Sequence, residues 1–341
     1  MKKTLKIVLA FVVAFLAWYH QEVVYGLQQG YGQLEVIFSA KPIQVYLSDN
    51  QYPDSLKYKI RLIQEIKKFA EDSLGIHPSD CYQTLYDQQG KPLIWVVTAC
   101  QPFEMKAKYW TFPLVGGFSY KGFFVEERAI KESERLQAIG YDTDIRTVSA
   151  WSTLGILNDP ILSQMLDWSE GMLASTIIHE LTHGTIFVKS DITYNENLAS
   201  FVGDEGAKLF LAYRFGSESL ELKKYLQRKE DRELFSQYAL RGALYLDTLY
   251  QSFNTSTPLS EKVQKKEAAF KHIIQSLDTL KFNNPLYYTY FDDFVPNNAF
   301  FMGFRRYREK QKEFRDEMNL KFEGDLKKYI AYHKKINPSF F

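Results

Sequence analysis

Between Asp167 and Gly216 the chain reads Ile177-Ile178-His179-Glu180-Leu181-Thr182-His183, two histidines four apart with a glutamate directly after the first. On a helix, four residues advance about 400°, which puts both imidazoles on one face, one turn apart. Two neutral imidazole nitrogens at that spacing suit one tetrahedral Zn²⁺ with bonds of about 2.0–2.1 Å. Glu180 flanks the pair, placed to take a proton from water at the metal. The helix itself is predicted by Asp167-Trp168-Ser169-Glu170, a capping box with Asp167 at N-cap. Met172, Leu173, Thr176, Ile177, Ile178 and Leu181 then follow without a proline. Such apolar surroundings imply burial, and a buried Glu180 then requires a role. The bland alternative, two satisfied core histidines, is weighed down by a count of only six histidines in the chain.

A catalytic zinc site needs a third protein ligand and an open position. Glu196 is the best placed, with twelve residues between it and His183. Gly184 to Val188 can finish the first helix, Lys189-Ser190-Asp191 makes a polar turn, and a second helix from about Thr193 returns antiparallel. Asp204 and Glu205 are the rival acids. Glu205 lies nine residues, about 180°, from Glu196 and cannot share its face, whereas Ser200 and Gly203 can. Gly203 would let the two helices approach closely. Read alone, Thr193-x-x-Glu196 is equally a capping box.

The 341 residues are 45% hydrophobic and 24% charged with a net charge of +1, enough for an independent core and giving no sign of a nucleic-acid or acidic partner. Lys2, Lys3 and Lys6 precede an apolar run from Ile7 to Trp18, and residues 1–24 read as a signal anchor or signal peptide. No basic residue follows until Lys41, so the body is expected outside the cytoplasm, on the periplasmic side of a bacterial envelope. Cys81 and Cys100 are the only cysteines. They are readable as one disulfide worth about 3 kcal/mol or as two free thiols.

Periodicity predicts a helix over Ser55–Leu74, strands at Leu93–Ala99 and Tyr109–Val115, a turn at Gly116-Gly117 and a strand at Phe118–Val125. A helix over Glu126–Ile139 follows, closed by Gly140, then a strand over Thr147–Leu154. Further helices are expected at Glu218–Phe253, Ser260–Leu280 and Arg305 to about Lys335, their charge runs being solvated faces. The class expected is α+β: a sheet-plus-helix half over 25–165, then a mainly helical half over 166–341 carrying the zinc site on two adjacent helices. The segment Tyr287–Asn298 is the expected downstream contribution to that site.

His179-Glu180-Leu181-Thr182-His183 followed by Asn195-Glu196-x-x-Ala199-Ser200 resembles the gluzincins, the zinc-peptidase class typified by thermolysin and aminopeptidase N. More closely, the chain resembles the bacterial family of predicted aminopeptidases. The matching pieces are Trp110–Gly116, Ser119–Phe124, Gly140-Tyr141-Asp142, Ser152–Gly155 with Asp159-Pro160, and Pro296–Ala299, within about Tyr25 to Phe314. The resemblance implies a peptide substrate, Zn²⁺ held by His179, His183 and Glu196, and Glu180 as base. It also implies an extended substrate beside an edge strand, for which Val148–Gly155 is the segment in place. The Gly-x-Met-Glu-Asn motif that holds a free N-terminus in aminopeptidase N is missing, so exopeptidase and endopeptidase action both stay open. Tyr194, Tyr288, Tyr290 and Tyr307 are the candidate oxyanion donors. Competing readings are a non-catalytic zinc-stabilised envelope domain and a zinc hydrolase acting on a non-peptide amide.

Overall fold

The structure is a computed structural model and describes residues 19–112, 116–148, 157–189 and 191–337. The chain enters through helix α1 (His20–Ser39), β1 (Lys41–Pro42) and α2 (Ile43–Ser48), then α3 (Asp54–Leu74). Gly75, at φ 74°, ends α3 in the left-handed region open to glycine. Among the described residues no helix is long and apolar enough to cross a membrane. Of the anchor or signal expected over residues 1–24, residues 1–18 lie outside the described ones and His20–Val24 open α1.

Three small sheets follow. In the largest, β3 (Ile94–Cys100) lies between β6 (Lys121–Phe123) and β7 (Asp142–Val148), antiparallel to both. α4 (Glu126–Ala138) covers one face, and Val97, Ala99, Phe123, Ala129 and Leu136 close a small core between them. β2 (Thr84–Tyr86) pairs with β1 and, in parallel, with β8 (Ile161–Leu162); β4 (Trp110–Phe112) pairs with β5 (Gly116–Phe118).

Two strand expectations change. Gly116 and Gly117 are not a turn but the second strand of the β4–β5 pair, and Phe118–Val125 divides between β5 and the separate β6. The strand expected at Thr147–Leu154 begins at Asp142, because Cys100 pairs with Asp142 and the register runs unbroken to Ile94 opposite Val148. Residues 149–154 of that expectation lie outside the described residues.

The remainder is helical: α5 (Glu170–His183), α6 (Ile192–Phe215), α7 (Leu220–Gln251), α8 (Leu259–Ser276), α9 (Asn298–Arg308), α10 (Gln311–Phe322) and α11 (Leu326–Ile336). The single stretch expected over Arg305–Lys335 is thus three helices. Glu323 and Gly324, at φ 55° and 77°, end α10, and the Asp325 carboxylate caps α11 by accepting from Lys328 N. The main core draws Ile60, Ile63 and Ile66 of α3 against Ile177 of α5, Phe210 of α6 and Tyr329 of α11. A second, aromatic core centred on Phe235 and Phe300 joins α7, α8 and α9. The Tyr287–Asn298 segment goes there: Tyr290 packs on Phe235, Asn297 donates to Thr143 O, and Asn298 N donates to Asp142. Its described contacts run to that core and to β7, not to the histidine pair.

Candidate metal centre

α5 starts two residues later than its capping box suggested. Ser163–Asp167 form a 3-10 turn, and Ser169 is the N-cap, its Oγ accepting from Met172 N at 3.4 Å. Glu170 is pulled instead to Lys59, at 2.8 Å. α6 likewise starts on Asp191, whose carboxylate accepts from Tyr194 N, so Thr193 caps nothing and the Glu196 carboxylate is released from capping.

The two helices run against each other through Gly203. A Cβ added there would sit 2.5 Å from Ser175 O and 3.1 Å from His179 Cβ. That contact brings Glu196 to the two imidazoles. His179 Nε2 and His183 Nε2 are 3.1 Å apart, and Glu196 Oε2 lies 3.4 and 3.6 Å from them. A tetrahedral ion with bonds of about 2.0–2.1 Å requires ligand atoms about 3.3–3.4 Å apart, so the triangle fits such an ion. Two imidazole donors also disfavour the hard, oxygen-seeking cations. Glu180 stands beside this triangle, its carboxylate within 4.8 Å of both ring nitrogens. Ser200 Oγ lies 3.5 Å from His179 Nδ1. His183 Nδ1 is buried without a hydrogen-bond partner among the described residues.

Charge within the site is coupled. Burial raises the Glu180 carboxyl, and the histidines only partly oppose it. Burial works in the same direction on Glu196, but the His183 and His179 rings overcome it and hold that carboxyl well below the usual range. Burial alone would lower His183; Glu196 and then Glu180 reverse the sign and raise it.

The rival acids are turned elsewhere. Asp204 is 2% exposed and accepts from Arg232 Nη2 at 2.7 Å, Arg308 Nη1 at 2.9 Å, Ser175 Oγ and the Tyr225 hydroxyl. Lys229 stands 3.6 Å away. Burial would raise this carboxyl, but Arg232, Arg308 and Lys229 together hold it far below the ordinary value. Glu205 pairs with Lys208 and faces Lys229. The charged residues of α7 and α9 are therefore not all a solvated face: Arg232 and Arg308 point inward.

Of the tyrosines expected as oxyanion donors, Tyr194 has its hydroxyl 2.9 Å from His333 Nδ1, and Tyr288 donates to Leu280 O at 2.9 Å. Tyr290 belongs to the aromatic core, and the Tyr307 side chain lies outside the described ones. His333, expected on a charged helix, is buried between Tyr194 and Glu317. Sequence reasoning missed Tyr82. It is 3% exposed with a left-handed φ of 65°, and burial and then the charge of Glu180 push its phenol well above the ordinary range. A non-glycine residue held at such a φ is a mark of functional or packing constraint, but no motif around Cys81-Tyr82 signals it. Cys81 and Cys100 are buried free thiols, and burial pushes Cys100 up to about 12.

Fold and site together define a mixed α+β, mainly helical protein in which His179, Glu180 and His183 form a group that could hold a metal ion. The chain belongs to the family described as "Putative aminopeptidase", whose model matches residues 24–339. No curated protein and no solved structure matches it.

Proposed function

We propose that this protein is a zinc-dependent peptidase of gluzincin type, acting as an aminopeptidase-like enzyme on peptide substrates. The observation that carries the reading is the triangle of His179 Nε2, His183 Nε2 and Glu196 Oε2, with sides of 3.1–3.6 Å and Glu180 beside it. The family description supports the peptidase half of the statement.

His179, His183 and Glu196 would hold the ion, which when bound supplies Lewis acidity towards a water and the scissile carbonyl. Glu180 takes the proton of the attacking water on its carboxylate and delivers it to the departing amine nitrogen. Ser200 steadies the His179 ring from the Nδ1 side, so that Nε2 stays directed at the triangle. Lys2, Lys3 and Lys6 before the apolar run, with no basic residue until Lys41, support a body held outside the cytoplasm by residues 1–24.

The experiment is zinc analysis combined with hydrolysis of peptide libraries by the full chain and by Glu180→Gln. About one zinc per chain, with hydrolysis lost only in the variant, is expected. Wild-type zinc occupancy in His183→Ala would overturn the site. Free and N-blocked peptides of one sequence, compared side by side, decide between exopeptidase and endopeptidase action.

A further inference from the structure

Helix α1 carries two faces, and only one is used within the chain. On the inner face Val36 is 1% exposed, the Phe124 ring fills the space where a Gly32 Cβ would stand, and the Tyr25 hydroxyl donates to Gly122 O. On the outer face Val24, Leu27, Tyr31, Leu34 and Phe38 are 47, 69, 71, 48 and 80% exposed. Their steps of three, four, three and four are a heptad seam over two repeats, narrower than the stripe a helix turns towards a globular core.

We propose that this seam pairs with the same seam of a second copy of the chain, forming a short parallel two-helix coil. Setting Val24 at a places Leu27 and Leu34 at d, with Tyr31 and Phe38 at a; leucine at both d positions and valine at the first a position match the two-stranded parallel pattern, while the other two a positions are aromatic. The flanking positions allow it. Glu35 at e faces Gly30 at g of the other copy, so no like charges meet, and a Cβ added at Gly30 would touch nothing within 4 Å. A lipid surface is the poorer occupant: α1 holds Glu22 and Glu35 and no lysine or arginine, whereas helices lying on membranes carry basic residues on their polar face. Residues 1–18 lead directly into α1 at Tyr19. If the part of the proposed 1–24 anchor that precedes Val24 holds the chain in a membrane, two copies rise side by side, parallel and in register, at a raised effective concentration. Pairing itself does not require that anchor or the metal site.

The test uses the full chain in non-ionic detergent, since its two native cysteines are buried. Sedimentation should give a dimer mass. Leu27→Cys and Leu34→Cys, each at d, should link copies by a disulfide on mild oxidation, while Glu22→Cys, on the far side at f, should not. Leu27→Glu with Leu34→Glu should weaken association more than about tenfold with unchanged helix content. If that double variant misfolds, the cysteine series alone decides. A monomeric wild-type chain, equal linking at Glu22→Cys, linking at Tyr31→Cys but not Leu27→Cys as an antiparallel pair would give, or a dimer that survives the double substitution would each overturn the proposal. So would a monomer whose seam is shielded only by added anionic vesicles.

Discussion

Two acids on α6, the partly buried Glu196 and the buried Asp204, sit about 12 Å apart along one helix and are built in opposite ways. Asp204 is saturated by this chain's own cations, Arg232, Arg308 and Lys229. Glu196 meets two imidazoles and no lysine or arginine among its described ion pairs. The difference teaches how to tell a proposed ligand from a strut. A carboxylate already neutralised by arginine has no lone pairs left for an external cation. One that converges with two ring nitrogens on a common point retains them.

The comparison breaks most visibly at its catalytic edge. Glu180→Gln should lower peptide hydrolysis by about 10²–10⁴-fold with zinc content unchanged, read from kcat/KM beside metal analysis. Loss of zinc in that variant would mean Glu180 is a ligand rather than a base.

The strut comes next. Asp204→Asn leaves three cations around a neutral amide and should cost about 3 kcal/mol in a denaturant titration, the low end for a broken buried pair because Arg232 is a third exposed. Its pH signature has a definite sign. The folded carboxyl is depressed, so its stabilisation is complete above the ordinary value of about 3.9 and lost as pH falls below it. Asp204→Asn should therefore flatten the loss of stability below about pH 4; an unchanged acid limb would show that the network does not couple to folding.

Glu196→Gln should weaken zinc binding by more than the roughly 10–100-fold expected for an outer partner, whereas Glu205→Gln should leave it nearly intact, measured by chelator competition. Equal losses would move the ligand further along α6. Among the residues that touch the site, Ser200→Ala should have the smallest effect, about a tenfold loss of zinc affinity, since its 3.5 Å approach to His179 is long for a hydrogen bond.

What could be read from the residues follows from how local the signals are. Helical arithmetic was enough to bring His179 and His183 to one face, to turn Glu205 away and to mark Gly203 as the contact point. It could not fix the N-cap of α5, because Asp167 and Ser169 compete within three residues. It placed the strand before the metal helix too late: Asp142, Thr143 and Asp144 lack an apolar run, and their order comes from β3, some 40 residues upstream. Arg232 and Arg308 looked like members of solvated charge runs because period alone does not report an acid waiting on another helix. Tyr82 carries no pattern at all; its relation to Glu180 exists only after folding.

The missing methyl at Gly203 also sets a mechanical condition. Two of the three proposed donor atoms ride on α5 and the third on α6, so their separations are a reading of the gap between two rods. An alanine at Gly203 must widen that gap, since the atom opposing it, Ser175 O, belongs to a backbone that cannot swing aside. A metal site tolerates errors of about 0.2 Å in its bonds, less than the clearance a methyl group demands. The helix pair therefore works as a caliper. A change at Gly203 that leaves the protein folded would still detune its grip, acting on affinity through distance without touching a single ligand.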